Sequence, residues 1–258
     1  MDNVFDLLQA SSQFLGRPIE RRSGVSRVAF VGDTHGASDV TRTVFDRFRE
    51  QVDLFVFLGD YVDRGPDGIG NLAILASEHS QSPDKVLLLR GNHETPGPHE
   101  HYGFLKEVEE KVGAERYEEF LDYFSRLPYG ALVNDYLCVH GGLAVGLSRT
   151  EQIDSFAMPV KDPSDPLPFQ TLWNDPREML EGFVPSIRGA GVYYFGADVA
   201  LKFISENGLK GIVRAHEVAD GFRWDLDGRI VTVFSSRYHD GRAGVLILED
   251  GVMREEFV

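Results

Sequence analysis

The chain has 258 residues and a formal net charge of −15 at pH 7, a length that can bury the core of one large domain or two small ones. The surplus of carboxylates, which no basic cluster offsets, argues against a protein that coats nucleic acid or binds an anionic membrane. The single cysteine, Cys138, excludes an internal disulfide, and nothing in the composition indicates an oxidising compartment.

The N-terminal stretch MDNVFDLLQASSQ lacks the basic segment and following apolar segment of a secretory signal. No apolar run approaches the ~18 residues of a membrane span. These features predict a cytoplasmic protein. Because no repeat or linker divides the sequence, we expect a single domain over residues 1–258, with residues 1–25 as an N-terminal extension packed on it.

Apolar runs rich in Val, Ile, Leu and Phe predict seven strands, in chain order at residues 27–31, 54–58, 85–89, 136–139, 211–213, 230–234 and 244–248. The spacing of apolar residues predicts helices at 40–48, behind a cap at Ser38 or Asp39, at 69–76 and at 117–124. Strands that alternate with helices in this way indicate an α/β layered fold.

Other segments carry turn signals or charge. Four prolines between 159 and 168 predict a surface loop, and DLDGRIVTVF predicts a hairpin that turns at Asp227 and Gly228. His99 and His101 in PGPHEHYG could approach a substrate, but a solvent-facing loop is favoured for both. The segment KEVEEKVGAERYEEF predicts a helix with a solvated acidic face, and a surface that binds a partner is the less favoured interpretation.

Polar residues directly follow five of the predicted strands. These strand ends are RVAFVGDTHG, LFVFLGDYVDRG, VLLLRGNHE, YLCVHGG and GIVRAHE. Ligands gather at the carboxyl ends of strands in open α/β sheets, so the five ends can converge on one site. The candidate residues of that site are Asp33, His35, Asp60, Asp63, Asn92, His93, His140 and His216.

Each of these residues alone has an ordinary structural explanation. Asp33 or Asp60 after a strand serves equally well as a helix cap or a turn residue. His140 or His216 beside an apolar run is more often a buried histidine. The coincidence at five strand ends favours one common site, because independent explanations would have to recur at every strand.

The donor types indicate the class of ion that such a site would bind. Carboxylate, imidazole and amide oxygen without thiolate suit Mn²⁺, Fe²⁺, Zn²⁺ or Mg²⁺ rather than an iron–sulfur cluster or Cu⁺. Six candidate ligands exceed the needs of one tetrahedral ion, whereas two ions ~3.5–4 Å apart that share a carboxylate would use them all. Two divalent ions held by two aspartates leave positive charge, which Arg64 would increase, so the site suits a phosphate ester.

The motifs GDTHG, GDYVDRG, GNHE, HGG and RAHE, in this order, resemble the phosphoprotein phosphatase family of serine/threonine phosphatases in the metallophosphoesterase superfamily. The resemblance spans about residues 27–248, and the compact form is similar to that of prokaryotic-type members. It implies one metallophosphoesterase catalytic domain with a calcineurin-like fold. In that fold a central β-sandwich of two mixed sheets is flanked by helices, and a dinuclear metal centre lies at the strand ends.

The resemblance also implies a role for each motif residue. The implied metal ligands are Asp33 and His35 for one ion, Asp60 as the bridge, and Asn92, His140 and His216 for the other ion. His93 would protonate the leaving alkoxide, and Asp63 would orient His93 and raise its pKa. Arg64, Arg188 and Asn92 would bind the substrate phosphate.

Three positions depart from the family pattern or allow two explanations. Arg188 stands in SIRGAGVYYFG, where the spacing is one residue longer than in the family segment. FSSRYHD replaces a segment that sets a tyrosine beside the metals, so either Tyr238 or His239 faces the site. Asp175 in LWNDP either orients a ligand or an arginine, or caps a helix.

The implied reaction is the hydrolysis of phosphoserine and phosphothreonine in proteins by direct attack of a metal-bridging hydroxide, with two Mn²⁺ ions as the favoured cofactors. The alternative is a symmetrical diadenosine tetraphosphate hydrolase or another nucleotide phosphoesterase of the same superfamily. GDYVDRG and GNHE favour the first function. An inactive binding module is disfavoured because all six ligands and His93 are present. Phosphoproteins are the expected partners, without nucleic acid or membrane, and a monomer is compatible with the sequence.

Overall fold

The computed structural model describes residues 3–258. The helices of this range are α1 (Val4–Ser12), α2 (Ser38–Phe48), α3 (Gly68–Gln81), α4 (Pro96–Tyr102), α5 (Phe104–Lys111), α6 (Tyr117–Phe124), α7 (Pro166–Trp173) and α8 (Ala197–Glu206). Its strands are β1 (Ile19–Arg22), β2 (Arg27–Val31), β3 (Leu54–Phe57), β4 (Val86–Leu88), β5 (Gly130–Val133), β6 (Tyr136–Val139), β7 (Asp175–Pro176), β8 (Phe183–Pro185), β9 (Tyr193–Phe195), β10 (Gly211–Arg214), β11 (Phe222–Asp225), β12 (Ile230–Val233), β13 (Gly244–Glu249) and β14 (Val252–Phe257).

The seven predicted strands are confirmed as β2, β3, β4, β6, β10, β12 and β13, with ends that differ by at most one residue. The predicted hairpin is confirmed as well. Strands β11 and β12 pair antiparallel up to Asp225 and Ile230. Asp227 and Gly228 between them both have positive φ, which a tight turn requires.

Two mixed sheets form the centre of the molecule. One has the strand order β1-β5-β6-β10-β12-β11, and the other has the order β14-β13-β2-β3-β4. Strands β2, β3 and β4 run parallel in the second sheet, as β6 and β10 do in the first. The expected α/β fold, with two mixed sheets and flanking helices, is confirmed.

The facing sides of the two sheets share one hydrophobic core. Phe30 and Val56 of the five-stranded sheet cluster there with Cys138 and Val213 of the six-stranded sheet. Alternate residues such as Ala29 point to the opposite face, which helices cover. The central strands are therefore buried on both faces, and this explains why the sequence shows continuous apolar runs instead of an alternating pattern.

Two predicted helix features are wrong. Helix α2 begins at Ser38, and its capping position is Ala37, so neither Ser38 nor Asp39 acts as the cap. The acidic segment 106–120 is not one helix. Gly113, with φ 98°, separates α5 from the turn that leads into α6, because a left-handed residue ends the regular hydrogen-bond pattern.

The proline-rich segment is only partly a loop. Pro166 and Pro168 lie in the first turn of α7, where a missing N–H costs no helical hydrogen bond. The carboxylate of Asp165 caps this helix by accepting a hydrogen bond from the N–H of Leu167. Proline here starts a helix instead of extending the loop.

The solvent-facing loop predicted for His99 and His101 is wrong in its secondary structure, and the predicted exposure is wrong for His99. Both His99 and His101 lie in α4 instead of a loop. His101 is exposed as expected, but His99 is fully buried. A buried histidine needs partners for its polar ring atoms, and His99 finds them in the hydroxyl of Tyr117 and the carbonyl oxygen of His93.

The predicted N-terminal extension contains α1 and β1. Strand β1 pairs in parallel with β5, and Leu8 of α1 is buried in the core that also holds Leu75 of α3. Residues 1 and 2 lie outside the described residues, and the single domain over 1–258 stays a prediction. Within residues 3–258 no helix has both the length and the apolar character to cross a membrane.

Candidate active site

Five strands deliver polar side chains to the same edge of the sandwich. Asp33 and His35 follow β2, Asp60 follows β3, and Asn92 follows β4, all in the five-stranded sheet. The six-stranded sheet contributes His140 after β6 and His216 after β10. Parallel strands end at the same edge, so segments distant in sequence become neighbours.

Several residues of the site have left-handed backbone conformations, with φ between 44° and 69°, although none is glycine. They are His35, Asp60, Asp63, Arg64 and His216. This conformation is costly for residues with a side chain and persists where surrounding contacts enforce it. The turns after β2, β3 and β10 therefore hold these side chains in fixed directions.

Glu94 joins the turns that follow β3 and β4. Its buried carboxylate accepts hydrogen bonds from the backbone N–H groups of Asp60 and Tyr61, at 2.7 and 2.8 Å, and of Gly91, at 2.8 Å. Any side chain at Gly91 would collide with Asp60, whose Oδ1 lies 2.2 Å from the position of a Cβ atom. The glutamate of GNHE, for which no role was predicted, therefore fixes the position of Asp60.

Three histidines turn their lone pairs into the site. His35 and His140 donate from Nδ1 to the carbonyl oxygens of Val62 and Leu58, at 2.8 and 2.9 Å. His216 donates from Nε2 to a third backbone carbonyl at 3.2 Å. Because a carbonyl oxygen only accepts, the opposite nitrogen of each neutral ring is an acceptor, as in histidines that ligate metals. Burial alone would lower the pKa of His140, but the charge of Asp60 raises it, so His140 gives up a proton when it acts as a ligand.

The lone pairs face other acceptors instead of donors. His35 Nε2 lies 3.7 Å from Asp33 Oδ2 and 3.5 Å from Asp60 Oδ2. His140 Nε2 lies 2.9 Å from Asn92 Oδ1 and 3.1 Å from His216 Nδ1. A buried group of atoms that all offer electron pairs requires a cation, so the donor set fits divalent metal ions.

Electrostatics point to the same conclusion. Asp33 and Asp60 are both buried in this site, and burial together with the charge of Asp60 raises the pKa of Asp33 to about 7. Burial lowers the pKa of His35 to about 3, so its ring is neutral and able to act as a ligand. Two buried carboxylates repel each other, and cations held between them would relieve that repulsion.

Two clusters of potential metal ligands share Asp60. One comprises His35, Asp60 and His93, and the other comprises Asp60, His140 and His216, with the ligand atoms of each cluster within 4.8 Å of one another. Asp60 is thus the one carboxylate positioned to reach both clusters within residues 3–258. The first cluster contains His93, to which the resemblance gives a different role.

His93 forms a close pair with Asp63. Its Nδ1–H donates to Asp63 Oδ2 at 2.6 Å, which leaves Nε2 facing the cavity, 3.9 Å from Asp60 Oδ2. Burial alone would lower the pKa of His93, but the charge of Asp60 and the hydrogen bond to Asp63 outweigh it and raise the pKa. A histidine that keeps its proton near neutral pH suits general-acid chemistry.

Arg188 reaches the site despite the longer spacing of its segment. Its Nε donates to Asp175 Oδ2 at 2.6 Å, and its side chain lines the same cavity as His93. Asp175 also accepts from the buried Arg214 at 2.8 Å. Asp175 lies in β7 and no helix follows it, so it orients arginines and does not cap a helix.

Arg64 lies between two aromatic rings. Its guanidinium carbon is 4.0 Å from the ring centre of Tyr102 and 5.4 Å from that of Tyr238, so both rings stabilise its charge. Tyr238 also stacks edge-on against His35, with 5.2 Å between ring centres. Both Tyr238 and His239 line the cavity. Of these two residues, only Tyr238 stacks against a candidate metal ligand within the described part of the chain.

These side chains enclose a cavity of about 260 Å³. The predicted site residues on its wall are Asp33, His35, Asp60, Arg64, Asn92, His93, Arg188 and His216. Asp63 and His140 lie directly behind it. The wall also contains Trp173 and Tyr102, which were not predicted as site residues. All the proposed residues thus come together, while their individual roles stay predictions.

Comparison with known families agrees with this architecture. Residues 26–220 match the family described as calcineurin-like phosphoesterase. A probable serine/threonine-protein phosphatase of Encephalitozoon cuniculi is 36% identical over 248 residues, which cover 92% of this chain and 53% of the relative. The chain therefore spans about half the length of that curated relative.

Solved structures extend the comparison. A serine/threonine protein phosphatase from Saccharomyces cerevisiae aligns with a TM-score of 0.88 and 26% identity over 98% of this chain and 88% of its own. A cold-active protein-tyrosine phosphatase of a psychrophilic Shewanella aligns with a TM-score of 0.72 and 17% identity over 95% of this chain and 84% of its own, which shows a shared fold alone. The match over most of the chain shows that it belongs to the calcineurin-like phosphoesterase family.

Proposed function

We propose that the chain is a metal-dependent serine/threonine protein phosphatase that hydrolyses phosphomonoesters. The observation that carries the proposal is the position of His93. Its Nε2, on a ring whose pKa is raised, faces the same cavity as the acceptor cluster, 3.9 Å from Asp60 Oδ2. An acid beside a metal site is the combination that protonates a leaving oxygen during ester hydrolysis.

The proposed cofactors are two divalent ions, most readily Mn²⁺. The ligands would be Asp33 and His35 for one ion, Asp60 as the bridge, and Asn92, His140 and His216 for the other. When bound, such ions lower the pKa of water and polarise a phosphate. The two clusters support part of this assignment, because both contain Asp60 and together they include His35, His140 and His216.

The chain's own residues would then bind phosphate and move one proton. Arg64 and Arg188 line the cavity and offer paired N–H donors to phosphate oxygens, with the amide of Asn92 nearby. Asp63 holds the ring of His93 so that Nε2–H points into the cavity. His93 would give this proton to the serine or threonine oxygen as its bond to phosphorus breaks.

Protein substrates are favoured over nucleotides. The relatives at 36% and 26% identity both carry the name of serine/threonine phosphatases. The diadenosine tetraphosphate alternative is therefore not favoured. The cytoplasmic location and the absence of nucleic-acid partners stay predictions.

A direct comparison of substrates tests the proposal. The protein is stripped of metal, reconstituted with Mn²⁺ and given a phosphothreonine peptide and diadenosine tetraphosphate in parallel at equal concentration. We expect Mn²⁺-dependent release of phosphate from the peptide with little ADP formed. Dominant formation of ADP would assign the same site to nucleotide hydrolysis, and no product from either substrate would contradict the proposed function.

A further inference from the structure

A second histidine, outside the cavity, contacts the backbone of His93. His99 lies in α4 and is fully buried. Its Nε2 is 2.6 Å from the carbonyl oxygen of His93, and its Nδ1 is 2.7 Å from the hydroxyl oxygen of Tyr117 at the start of α6. Both ring nitrogens are therefore used, and neither faces solvent or the candidate metal ligands.

The partners fix the direction of both hydrogen bonds. The carbonyl oxygen of His93 only accepts, so His99 Nε2 must carry the hydrogen. Burial lowers the pKa of His99, which leaves the ring neutral with an acceptor at Nδ1. The hydroxyl of Tyr117 therefore donates to His99, and His99 donates to His93.

His99 also supports the partner of His93. Its ring packs edge-on against Phe104, with 4.9 Å between ring centres. The backbone N–H of Phe104 donates at 2.8 Å to Asp63 Oδ1, while Asp63 Oδ2 accepts from His93 Nδ1. The buried side chain of His99 therefore contacts both the backbone of His93, the proposed acid, and Phe104, which anchors the carboxylate of Asp63.

His93 forms two further hydrogen bonds, through its backbone N–H and its ring, while its carbonyl oxygen accepts from His99. The His93 segment, Asn92–Glu94, is a single short turn, and the backbone N–H of His93 donates to Asp60 Oδ1 at 2.9 Å. The side chain is held by Asp63. With its N–H, its ring and its carbonyl oxygen all hydrogen-bonded, His93 has little freedom to move its ring relative to the cavity. Small displacements of a catalytic group reduce rates sharply.

We propose that His99 is a positioning residue that holds His93 in place as the general acid, through the hydrogen bond to the His93 carbonyl. This inference rests on the proposed function, because it requires His93 to protonate the leaving oxygen. Loss of His99 should then weaken protonation of the leaving group while metal binding and phosphate binding remain.

The leaving group provides a readout that a purely structural role would not change. An alkoxide such as that of threonine needs a proton to depart, whereas p-nitrophenolate departs without one. The variants are His99→Leu, which removes the donor at similar size, and His99→Gln, whose amide N–H reaches about as far as Nε2. His93→Asn serves as the reference for loss of the acid. Metal content and thermal melting are measured for each variant.

We expect His99→Leu to lower kcat by about 10-fold or more on a phosphothreonine peptide, and by less than about 3-fold on p-nitrophenyl phosphate. KM should change little for either substrate. His99→Gln should stay within about 3-fold of the wild-type protein on both substrates because the donor is retained. His93→Asn should show the same preference for p-nitrophenyl phosphate, to a larger degree.

Equal losses on the two substrates for His99→Leu would overturn the positioning role and leave a structural one. A folded His99→Gln protein that discriminates between the substrates as strongly as His93→Asn would overturn it as well, whether or not His99→Leu folds. If His93→Asn itself shows no discrimination, the acid in the proposed function is wrong, and the role of His99 falls with it.

Discussion

Asp60 and His93 are neighbours in the site, but we expect their substitution to impair the protein in different ways. Asp60 belongs to both clusters of potential ligands, whereas His93 is paired with Asp63. We predict that Asp60→Asn lowers metal content and activity together, because the amide removes one negative charge from the shared position. His93→Asn should lower kcat while metal content stays near that of the wild-type protein.

Metal analysis of the purified variants, combined with kcat on a phosphothreonine peptide, distinguishes the two effects. Glu100→Gln, a change on the exposed surface of α4, is a suitable control that should alter neither quantity. Equal loss of metal in Asp60→Asn and His93→Asn would show that His93 is a ligand. The acid would then have to be another residue.

Arg188 should contribute to substrate binding much more than to stability. Its side chain is 30% exposed, and its partner Asp175 keeps a second ion pair with Arg214 when Arg188 is removed. We predict that Arg188→Ala raises KM for a phosphopeptide by about 10-fold or more, through loss of a charged donor, and leaves the melting temperature nearly unchanged.

Arg177 offers a matched control for this measurement. It is 37% exposed and does not line the cavity, although its partner Glu217, at 2.8 Å, does. When Arg177 is removed, Glu217 keeps its ion pairs with Arg214 and Arg223. Steady-state kinetics of Arg177→Ala should show an unchanged KM. If Arg188→Ala also leaves KM unchanged, Arg188 has no part in phosphate binding, and the longer spacing of its segment places it outside the family register.

At the scale of elements, α1 is joined to α3 and α6 by a buried polar cluster. His79 Nδ1 lies 2.7 Å from the hydroxyl oxygen of Ser11, which lies 3.0 Å from that of Tyr123. Burial, with a smaller contribution from the charge of Arg22, lowers the pKa of His79 to about 4 in the folded protein. The neutral form of His79 is therefore the form that packs between these helices in the folded protein.

This cluster predicts acid sensitivity with a definite sign. His79 in the unfolded chain titrates near 6.5, so the unfolded chain binds more protons between that pH and about 4, and stability falls as the pH drops through this window. We predict that the wild-type protein loses about 2 kcal/mol more stability between pH 7 and pH 5 than His79→Gln, which has no titratable ring. Urea unfolding at the two pH values measures this difference, and equal losses in both proteins would show that His79 is not buried in neutral form.

The elements also show how far the sequence predicts the structure. Strands β2, β3 and β4 could be predicted because both of their faces are buried, which produces uninterrupted apolar runs. Strands such as β1 (IERR) and β14 (VMREEF) could not, because they lie at sheet edges and most of their charged residues are not buried. Pairing with a neighbour, and not local sequence, makes these segments strands.

The same distinction applies to the candidate site. Asp33, Asp60 and His140 could be proposed because each comes directly after a recognisable strand. His99 could not, because its burial depends on how α4 packs against α5 and α6, and its sequence context PGPHEHYG indicates a loop. Contacts between elements that are distant in sequence leave no local signal in the chain.

The whole molecule places the two halves of the candidate metal centre on different sheets. Asp33, Asp60 and Asn92 extend from the five-stranded sheet, whereas His140 and His216 extend from the six-stranded sheet. Between the sheets lies an apolar core, which resists separation but carries no directional bonds. At the edge that holds the site, His140 already donates to the Leu58 carbonyl and the His216 N–H to Asp33 Oδ1. Metal ions bound by residues from both sheets would add stronger connections at this edge of the sandwich.

This arrangement predicts that metal binding stabilises the whole fold. A ligand that binds only the folded state contributes about 2.7 kcal/mol at 100 times its Kd, which corresponds to a rise of roughly 5–10 °C in Tm for a chain of this size. We therefore expect calorimetry of the Mn²⁺-saturated protein to show one transition that shifts down by this amount after chelation. In Asp60→Asn the shift should largely disappear, because the residue shared by both clusters is lost. A Tm that is the same with and without Mn²⁺ in the wild-type protein would mean that the ligands from the two sheets do not act as one centre.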